Sequence, residues 1–524
     1  MKKILVEKNS YYDSVFLMLI SSELKKIPGV TEAVVSMATE VNTELLGGIG
    51  FSSPELRGAG ANDLVIAVEA DEAAVVDQAF RLARELFGRR KSRRESEEAY
   101  RPVGLDGALK MAPEANLLIV SVPGRYAARE AGRALEKGLH VMLFSDNVSL
   151  EEEIALKRSA RAKGLLLMGP DCGTAIINGK PLGFANVVRR GGIGLVAASG
   201  TGLQEVTCCI DRLGQGISQA VGIGGRDLSV QVGGTMMLMG IEALKNDPRT
   251  EVIVLISKPP AEEVAGKVIA RLQEADKPCV AHFIGMEGGR SPTGATGAGV
   301  QYAGSLEEAA EMAAALLAGG PYRSGVFAPS EEEMNRLAER EAAGFSGRQR
   351  YLRGLFTGGT LADEALILFQ REVGGIYSNN QTVPQLLLPD PQRSLRHSIV
   401  DLGDDLFTRG RPHPMIDPGT RVERLRQEME DPEVAVVLLD CVLGYGSHPD
   451  PAGAMQEVLL QARDKAADRG GHLGVVASLT GTPGDPQGLE EQKQKLEAAG
   501  CLVMPSNYQA ARLALRIIRQ AGSS

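Results

Sequence analysis

No apolar run in this 524-residue chain approaches the roughly 18 to 20 residues that a helix needs to cross a bilayer, which excludes an α-helical membrane protein. The opening Met1-Lys2-Lys3-Ile4-Leu5-Val6 moves into Glu7 and Lys8 instead of a signal-peptide core, so the expected location is cytoplasmic. Cysteines are few: six, scattered, with Cys208-Cys209 adjacent on an expected helix and no C-x-x-C or Cys/His ligand spacing. That pattern predicts reduced thiols and no structural metal. Positive charge is short as well, 57 basic against 66 acidic residues for a formal charge of −9. The one dense basic stretch, Arg89 to Arg94, is followed by Glu95, Glu97 and Glu98 and reads as a solvated linker, so no nucleic-acid partner is expected.

What the chain does have is the same punctuation twice. Ser199-Gly200-Thr201-Gly202 follows one apolar run and Thr357-Gly358-Gly359-Thr360 follows another. In each, a strand passes through a small hydroxyl-bearing turn into a helix, whose free N–H groups and positive dipole end favour an anion. Further landmarks recur in order. Gly224-Gly225-Arg226-Asp227, Gly234-Thr235, Asp247-Pro248 and the strand at 252–256 are matched by Gly403-Asp404-Asp405, Gly419-Thr420, Asp431-Pro432 and 434–439. Two related α/β domains are therefore expected, at 191–325 and 350–524, joined by a polar linker at 326–349 and gripping a phosphate between Ser199, Gly200, Thr201 and Gly358, Gly359, Thr360. Ordinary N-capping leaves the same signature at a single turn.

Residues 1–99 read as a small ferredoxin-like α+β module with its linker, strand and helix alternating as βαββα. Within it, Gly47-Gly48-Ile49-Gly50 reads as a flexible connection. From 100 to 190 the alternation of strands and helices predicts a parallel, Rossmann-like sheet, with ligands at strand carboxyl ends such as Pro123-Gly124-Arg125, Ser145-Asp146-Asn147 and the turn at 169–174. Thr408-Arg409-Gly410-Arg411-Pro412-His413-Pro414 is a stiff cationic loop: Arg409 and Arg411 suit a planar carboxylate, with surface salt bridges as the alternative, and His413 is the candidate acid or base. His282, inside the apolar run 280–284, reads as a packing histidine, and Lys258 as a solvated loop residue.

Gly169-Pro170-Asp171-Cys172, Leu195 to Thr201 and Val221-Gly222-Ile223-Gly224-Gly225 resemble the α subunit of succinyl-CoA synthetase, and the second copy is similar to the ligase domain that the synthetase places on its β subunit. One chain carrying both halves behind an extra N-terminal module, without an ATP-grasp region, resembles the FdrA proteins over essentially its whole length. The resemblance implies a Rossmann-like CoA-binding-type domain and two flavodoxin-like ligase domains, with Gly224 and Gly225 joining Arg409 and Arg411 in substrate binding. Two departures matter. The stretch Gly288 to Ala298, where the synthetases carry a phosphorylated histidine, contains none, and the Gly-x-Thr-Gly-x-x-Gly loop that opens their CoA site is absent. FdrA-like proteins are associated with an oxamate carbamoyltransferase of allantoin breakdown (oxalurate plus phosphate giving oxamate plus carbamoyl phosphate). The resemblance thus implies a carbamoyltransferase subunit that needs no cofactor beyond phosphate or carbamoyl phosphate as substrate and works with other subunits; a homodimer is compatible. Two alternatives stand beside it: an acyl-CoA synthetase without its own phosphohistidine, binding CoA, and a non-catalytic scaffold or sensing subunit.

Overall fold

The structure is a computed structural model describing residues 1–524 apart from Tyr11, Asp13, 96–101, Val103, Pro259, 287–298, Gly410 and 522–524. The chain forms two compact units, 1–112 with 408–412, and 113–407 with 413–524.

In the first unit, β1 (Lys2–Glu7), α1 (Ser14–Lys25), β2 (Val30–Met37), α2 (Glu40–Gly48), α3 (Pro54–Arg57), β3 (Leu64–Ala70), α4 (Ala73–Glu95) and α5 (Leu105–Met111) follow one another. The sheet is antiparallel in the order β1-β3-β2, the ferredoxin-like arrangement without its fourth strand. The central β3 is apolar on both faces, and its period of two sorts them. Leu64, Ile66 and Val68 join Leu17, Ile20 and Phe80 in one cluster, while Val65 and Ala67 join Leu46, Phe51 and Leu56 in another. The second cluster explains why Gly47 and Gly48 end the helix α2 instead of forming a flexible loop: α2 and the buried Phe51 cover that face. Likewise the backbone from Arg89 to Arg94 continues α4 and is not an irregular linker.

The second unit begins with a parallel sheet, β4 (Leu117–Val120), β5 (His140–Leu143) and β6 (Leu167–Met168), crossed by α6 (Gly124–Glu136) and α7 (Leu150–Ala162). The hairpin β7 (Thr174–Ile177) and β8 (Lys180–Gly183), turned at Asn178-Gly179 where both φ are positive, joins the following sheet and not this one, so the sheets part near residue 173 rather than 190. That following sheet has seven strands in the order β13-β12-β11-β9-β10-β7-β8. It is built from β9 (Arg190–Ala197), α8 (Gly200–Arg212), β10 (Ile217–Gly222), α9 (Thr235–Asn246), β11 (Val252–Ser257), α10 (Glu262–Gln273), β12 (Cys279–Phe283), β13 (Val300–Tyr302) and α11 (Leu306–Ala318).

After α12 (Glu331–Ala342), the last domain runs β14 (Tyr351–Phe356), α13 (Gly359–Glu372), β15 (Ser398–Asp401), α14 (Asp405–Thr408), α15 (Gly419–Glu428), β16 (Val434–Val442), α16 (Pro451–Asp468), β17 (Gly474–Thr480), α17 (Leu489–Ala498), β18 (Leu502–Met504) and α18 (Asn507–Ala521). Its sheet is parallel in the order β15-β14-β16-β17-β18. Counted from the first strand of each copy, both sheets read 2-1-3-4-5, the flavodoxin-like order whose switch point lies beside strand 1. The two sheets thus share one strand order, in step with the landmarks that recur in the sequence. The two sheets share one hydrophobic core, in which Leu203 and Val206 of α8, Ala310 of α11, Leu361 and Phe369 of α13 and Ala514 of α18 meet. The polar segment between the domains contributes too, because α12 buries Met334 and Ala338 in that core.

Candidate functional site

The two helix ends anticipated from the sequence face each other. β9 and β14 are the first strands of their domains, so the helices that follow them, α8 and α13, start at the switch points. Ser199 caps α8, its hydroxyl accepting the Gly202 N–H at 3.1 Å, and the same oxygen lies 2.7 Å from the Thr360 hydroxyl on α13. Glycine is required where they meet. A Cβ on Gly358 would fall 2.9 Å from the Thr201 side chain, and one on Gly202 would fall 2.8 Å from Thr360 Cγ2. The N–H groups of Gly200, Thr201, Gly359 and Thr360 have no acceptor among the described residues, which is the arrangement that receives an anion.

One of the six expected phosphate ligands is corrected. The Gly358 N–H is already donated to Asp440 Oδ2 at 2.7 Å, and Asp440 also takes the Thr357 N–H at 2.8 Å and its hydroxyl at 3.0 Å. Arg421, buried behind it, holds the carboxylate at 2.8 Å. Asp440 lies near the carboxyl end of β16, the neighbour of β14, and so reaches the turn from the adjacent strand.

One turn further along each helix, the duplication produces a reciprocal exchange. Glu205 of α8 accepts the backbone N–H of Asn507, the first residue of α18 in the other domain, at 2.9 Å. Its counterpart Glu364 of α13 accepts the N–H of Leu306, the first residue of α11 in the other domain, at 2.9 Å, and the Asn507 amide at 2.8 Å. Each domain thereby caps the final helix of the other. Burial pushes the Glu364 carboxyl up to about 7.

A titratable group missed in the sequence stands at the mouth of α13. Asp401 ends β15; its Oδ1 accepts the Gly403 N–H at 2.8 Å and its Oδ2 the Asn380 amide at 3.2 Å. Oδ2 lies 2.6 Å from where a Gly359 Cβ would be, beside the open helix end. Burial, reinforced by the charges of Asp363 and Asp404 and opposed by those two hydrogen bonds, raises it to about 7. A carboxylate closing an apolar strand of a parallel sheet was the available signal. Asp171, in the Gly-Pro-Asp-Cys turn after β6, is raised to about 6 by burial and then by Asp146 and Asp405. Lys258, expected to be a solvated loop residue, is exposed and lies 2.6 Å from Asp363 Oδ2; partial desolvation lowers its value, but Asp363, Asp401 and Asp404 outweigh it and the ammonium is held charged.

His413 is half-buried beside the same helix mouth, its Nε2 lying 2.7 Å from the Gly403 Cβ position, next to Asp401. The Met415 N–H donates to its Nδ1 at 3.2 Å and burial lowers its value to about 4. The ring is therefore neutral with the proton on Nε2, which presents a hydrogen-bond donor. Gly224 (φ +82°) packs its bare Cα onto the Gly169-Pro170 turn, where a Cβ would meet Pro170 O at 2.3 Å, while Gly225 is exposed with nothing near it. Arg409 and Arg411 are exposed and group with the first unit. The stretch Gly288 to Ala298 lies outside the described residues.

Comparison with known proteins matches residues 355–517 to the CoA-ligase family and residues 1–102 to the family described as AllF, heavy metal-associated domain. The chain's own residues 1–102 contain neither cysteine nor histidine. It is 28% identical over 179 residues to subunit alpha 2 of the ADP-forming succinate–CoA ligase of Archaeoglobus fulgidus, covering 33% of this chain and 60% of that one. It is 30% identical over 245 residues to the mitochondrial subunit alpha-2 of the same ligase from Trichomonas vaginalis, covering 43% and 75%. Against YahF, an uncharacterized protein of Escherichia coli K12, identity reaches 46% over 519 residues, 98% of each. An α/β chain with a CoA-ligase domain and near full-length identity of this order is a member of the YahF family, related to the α subunits of succinate–CoA ligases.

Proposed function

We propose that the second unit carries out acyl transfer of the succinate–CoA-ligase type without a phosphohistidine, exchanging phosphate and an acceptor on a small acyl group: acyl phosphate plus acceptor gives acylated acceptor plus phosphate. The observation that carries this reading is the facing pair of helix ends with four free N–H groups and the Ser199 and Thr360 hydroxyls 2.7 Å apart. Positioned donors of this kind stabilise charge on a departing phosphate with no reorganisation at the moment of reaction. Asp401, raised to about 7 beside α13, is the group poised to take a proton from the acceptor, and the His413 Nε2–H is placed to donate a hydrogen bond alongside it.

The relatives' class favours CoA as the acceptor. The carboxyl end of β4 offers exposed Val122 and Tyr126, with the Arg125 guanidinium 4.8 Å over the Tyr126 ring, an apolar face flanked by a cation that fits an adenine nucleotide. When bound, CoA would supply the attacking thiol. A second reading, carbamoyl phosphate as the acyl phosphate and an amine or amide as acceptor, in a carbamoyltransferase subunit working with other subunits, is favoured by the absence of histidine between Gly288 and Ala298.

Calorimetric titration of the whole chain with inorganic phosphate, carbamoyl phosphate and CoA, repeated on a Thr201→Val, Thr360→Val variant, tests both. Phosphate heat that weakens about tenfold or more in the variant is expected, as each lost hydrogen bond to an anion contributes about 1.5–3 kcal/mol. Phosphate binding unchanged in the variant overturns the clamp. CoA heat selects the thiol acceptor; carbamoyl phosphate heat without CoA heat selects the second reading.

A further inference from the structure

Between the two flavodoxin-like domains, along α13, lies a cavity of about 870 Å³ whose wall reaches from Tyr508 and Arg512 to Lys258, Asp363 and Asn380. Its wall is unusual in charge. Glu307, Glu308, Glu311 and Glu364 line it, and among the described residues none of them is ion-paired with a lysine or arginine. The lysine and arginines on the described wall pair with other carboxylates: Lys258 with Asp363, also on the wall, at 2.6 Å, Arg371 with Glu372 at 3.5 Å and Arg512 with Glu331 at 2.7 Å. The carboxylates are held in place by hydrogen bonds. Glu308 accepts from the Tyr322 hydroxyl at 3.0 Å and the Gly304 N–H at 2.6 Å, and Glu311 accepts from the Gly325 and Val326 N–H groups at 3.0 and 2.6 Å. Those donors are neutral, and burial raises Glu307 and Glu364, so no cation on this wall balances these carboxyl groups.

Independently, His282 on the same wall carries an unmet acceptor. It is 2% exposed, and its Nδ1 lies 2.9 Å from the Ala303 carbonyl oxygen. A carbonyl only accepts, so Nδ1 holds the proton and Nε2 presents a bare lone pair. Burial keeps the ring neutral, and Nε2 has no hydrogen-bond partner among the described residues. A buried acceptor without a donor is costly, and natural sites of this kind mark a missing group. Ile284, Met286, Ile367 and Val383 supply apolar surface between these polar elements.

We infer that this cavity binds a small organic cation with an apolar body, a primary alkylammonium, whose N–H groups meet His282 Nε2 and the acidic wall. Neutral imidazole accepts what an ammonium donates, the carboxylates balance its charge, and the aliphatic residues take up its chain. None of Glu307, Glu308, Glu311 and His282 belongs to the phosphate clamp, so the inference stands whether or not the transfer reading holds.

The test is a titration of the whole chain, labelled with 15N-histidine, by n-butylammonium and in parallel by butyrate, following the ring nitrogens of its six histidines. Expected are a neutral, Nδ1-protonated His282, a saturable shift of its Nε2 with butylammonium and none with butyrate, and a several-fold weaker titration in Glu308→Gln, which keeps an acceptor for Tyr322. His282→Phe should abolish butylammonium binding measured by calorimetry; if that variant does not fold, the Nε2 shift and Glu308→Gln decide. An Nε2 unmoved by butylammonium, or moved equally by butyrate, overturns the inference. Phosphate titrated into the same samples separates it from the clamp: loss of phosphate binding with the ammonium response intact removes only the transfer reading.

Discussion

Asp401→Asn tests the electrostatics of the helix mouth directly. In the wild type the carboxyl, raised to about 7 by burial, is mainly protonated at pH 5.5 and mainly ionised at pH 8. A phosphate seated on the N–H groups of Gly359 and Thr360 would stand roughly 5 Å from it, where two unit charges repel by about 3 kcal/mol at an effective dielectric of about 20. Solvent and the spread of the phosphate charge reduce this to the order of 1.4 kcal/mol, a tenfold change in affinity. The amide removes the charge and keeps an acceptor for the Gly403 N–H. The quantity to measure is the ratio of phosphate dissociation constants, wild type over variant, at each pH, because the ionisation of phosphate itself cancels in it. It should be near one at pH 5.5 and about ten at pH 8. A ratio that does not change between the two pH values refutes the placement of the anion beside Asp401. The same proton is linked to stability. A carboxyl whose folded value lies above its unfolded value of about 3.9 contributes stability that is present at low pH and is lost as pH rises from about 4 to about 7, so the variant should show a flatter decline in urea midpoint across that window than the wild type.

Gly202→Ala, normally a gain of about 1 kcal/mol in a helix, should instead destabilise by about 1–3 kcal/mol in thermal denaturation, since its Cβ would lie 2.3 Å from Ser199 Oγ and 2.8 Å from Thr360 Cγ2. Glu205→Ala strips the acceptor from the Asn507 N–H and the Thr480 hydroxyl and should cost about 2–4 kcal/mol, with amide exchange in the first turn of α18 rising more than in α11.

The architecture was legible in the sequence because it rests on local patterns. Two apolar strands each followed by a hydroxyl-Gly turn, and landmarks recurring in order, point to a duplication, and the helix ends at Ser199 and Thr360 came together as that duplication implies. What local patterns do not carry is pairing across long separations. Asp440 reaches Gly358 over 82 residues and Glu205 reaches Asn507 over 302, so neither the loss of the Gly358 donor nor the exchange of caps could be read from spacing. His413 stood out in the sequence as a histidine in a cationic loop, but its place beside Gly403 and its protonation depend on burial and on the Met415 N–H, which composition does not report. α12 was misjudged for a related reason: its surface is charged, and only Met334 and Ala338, four residues apart on one face, tie it to the core.

The exchange of caps between the duplicated domains bears on why they share one chain. A half-molecule ending before α12 would leave Glu205 buried without the Asn507 N–H and α11 without its carboxylate, while the other half would lose the converse pair. Neither half is a self-sufficient folding unit in this respect, so as separate polypeptides they would depend on concentration to find each other. Joined by the segment around α12, each meets the other at the effective concentration set by a short tether, in the millimolar range for linkers of this kind, and in fixed one-to-one proportion. The covalent join thus converts an assembly equilibrium into part of the folding reaction, and expression level ceases to determine whether the paired helix ends exist.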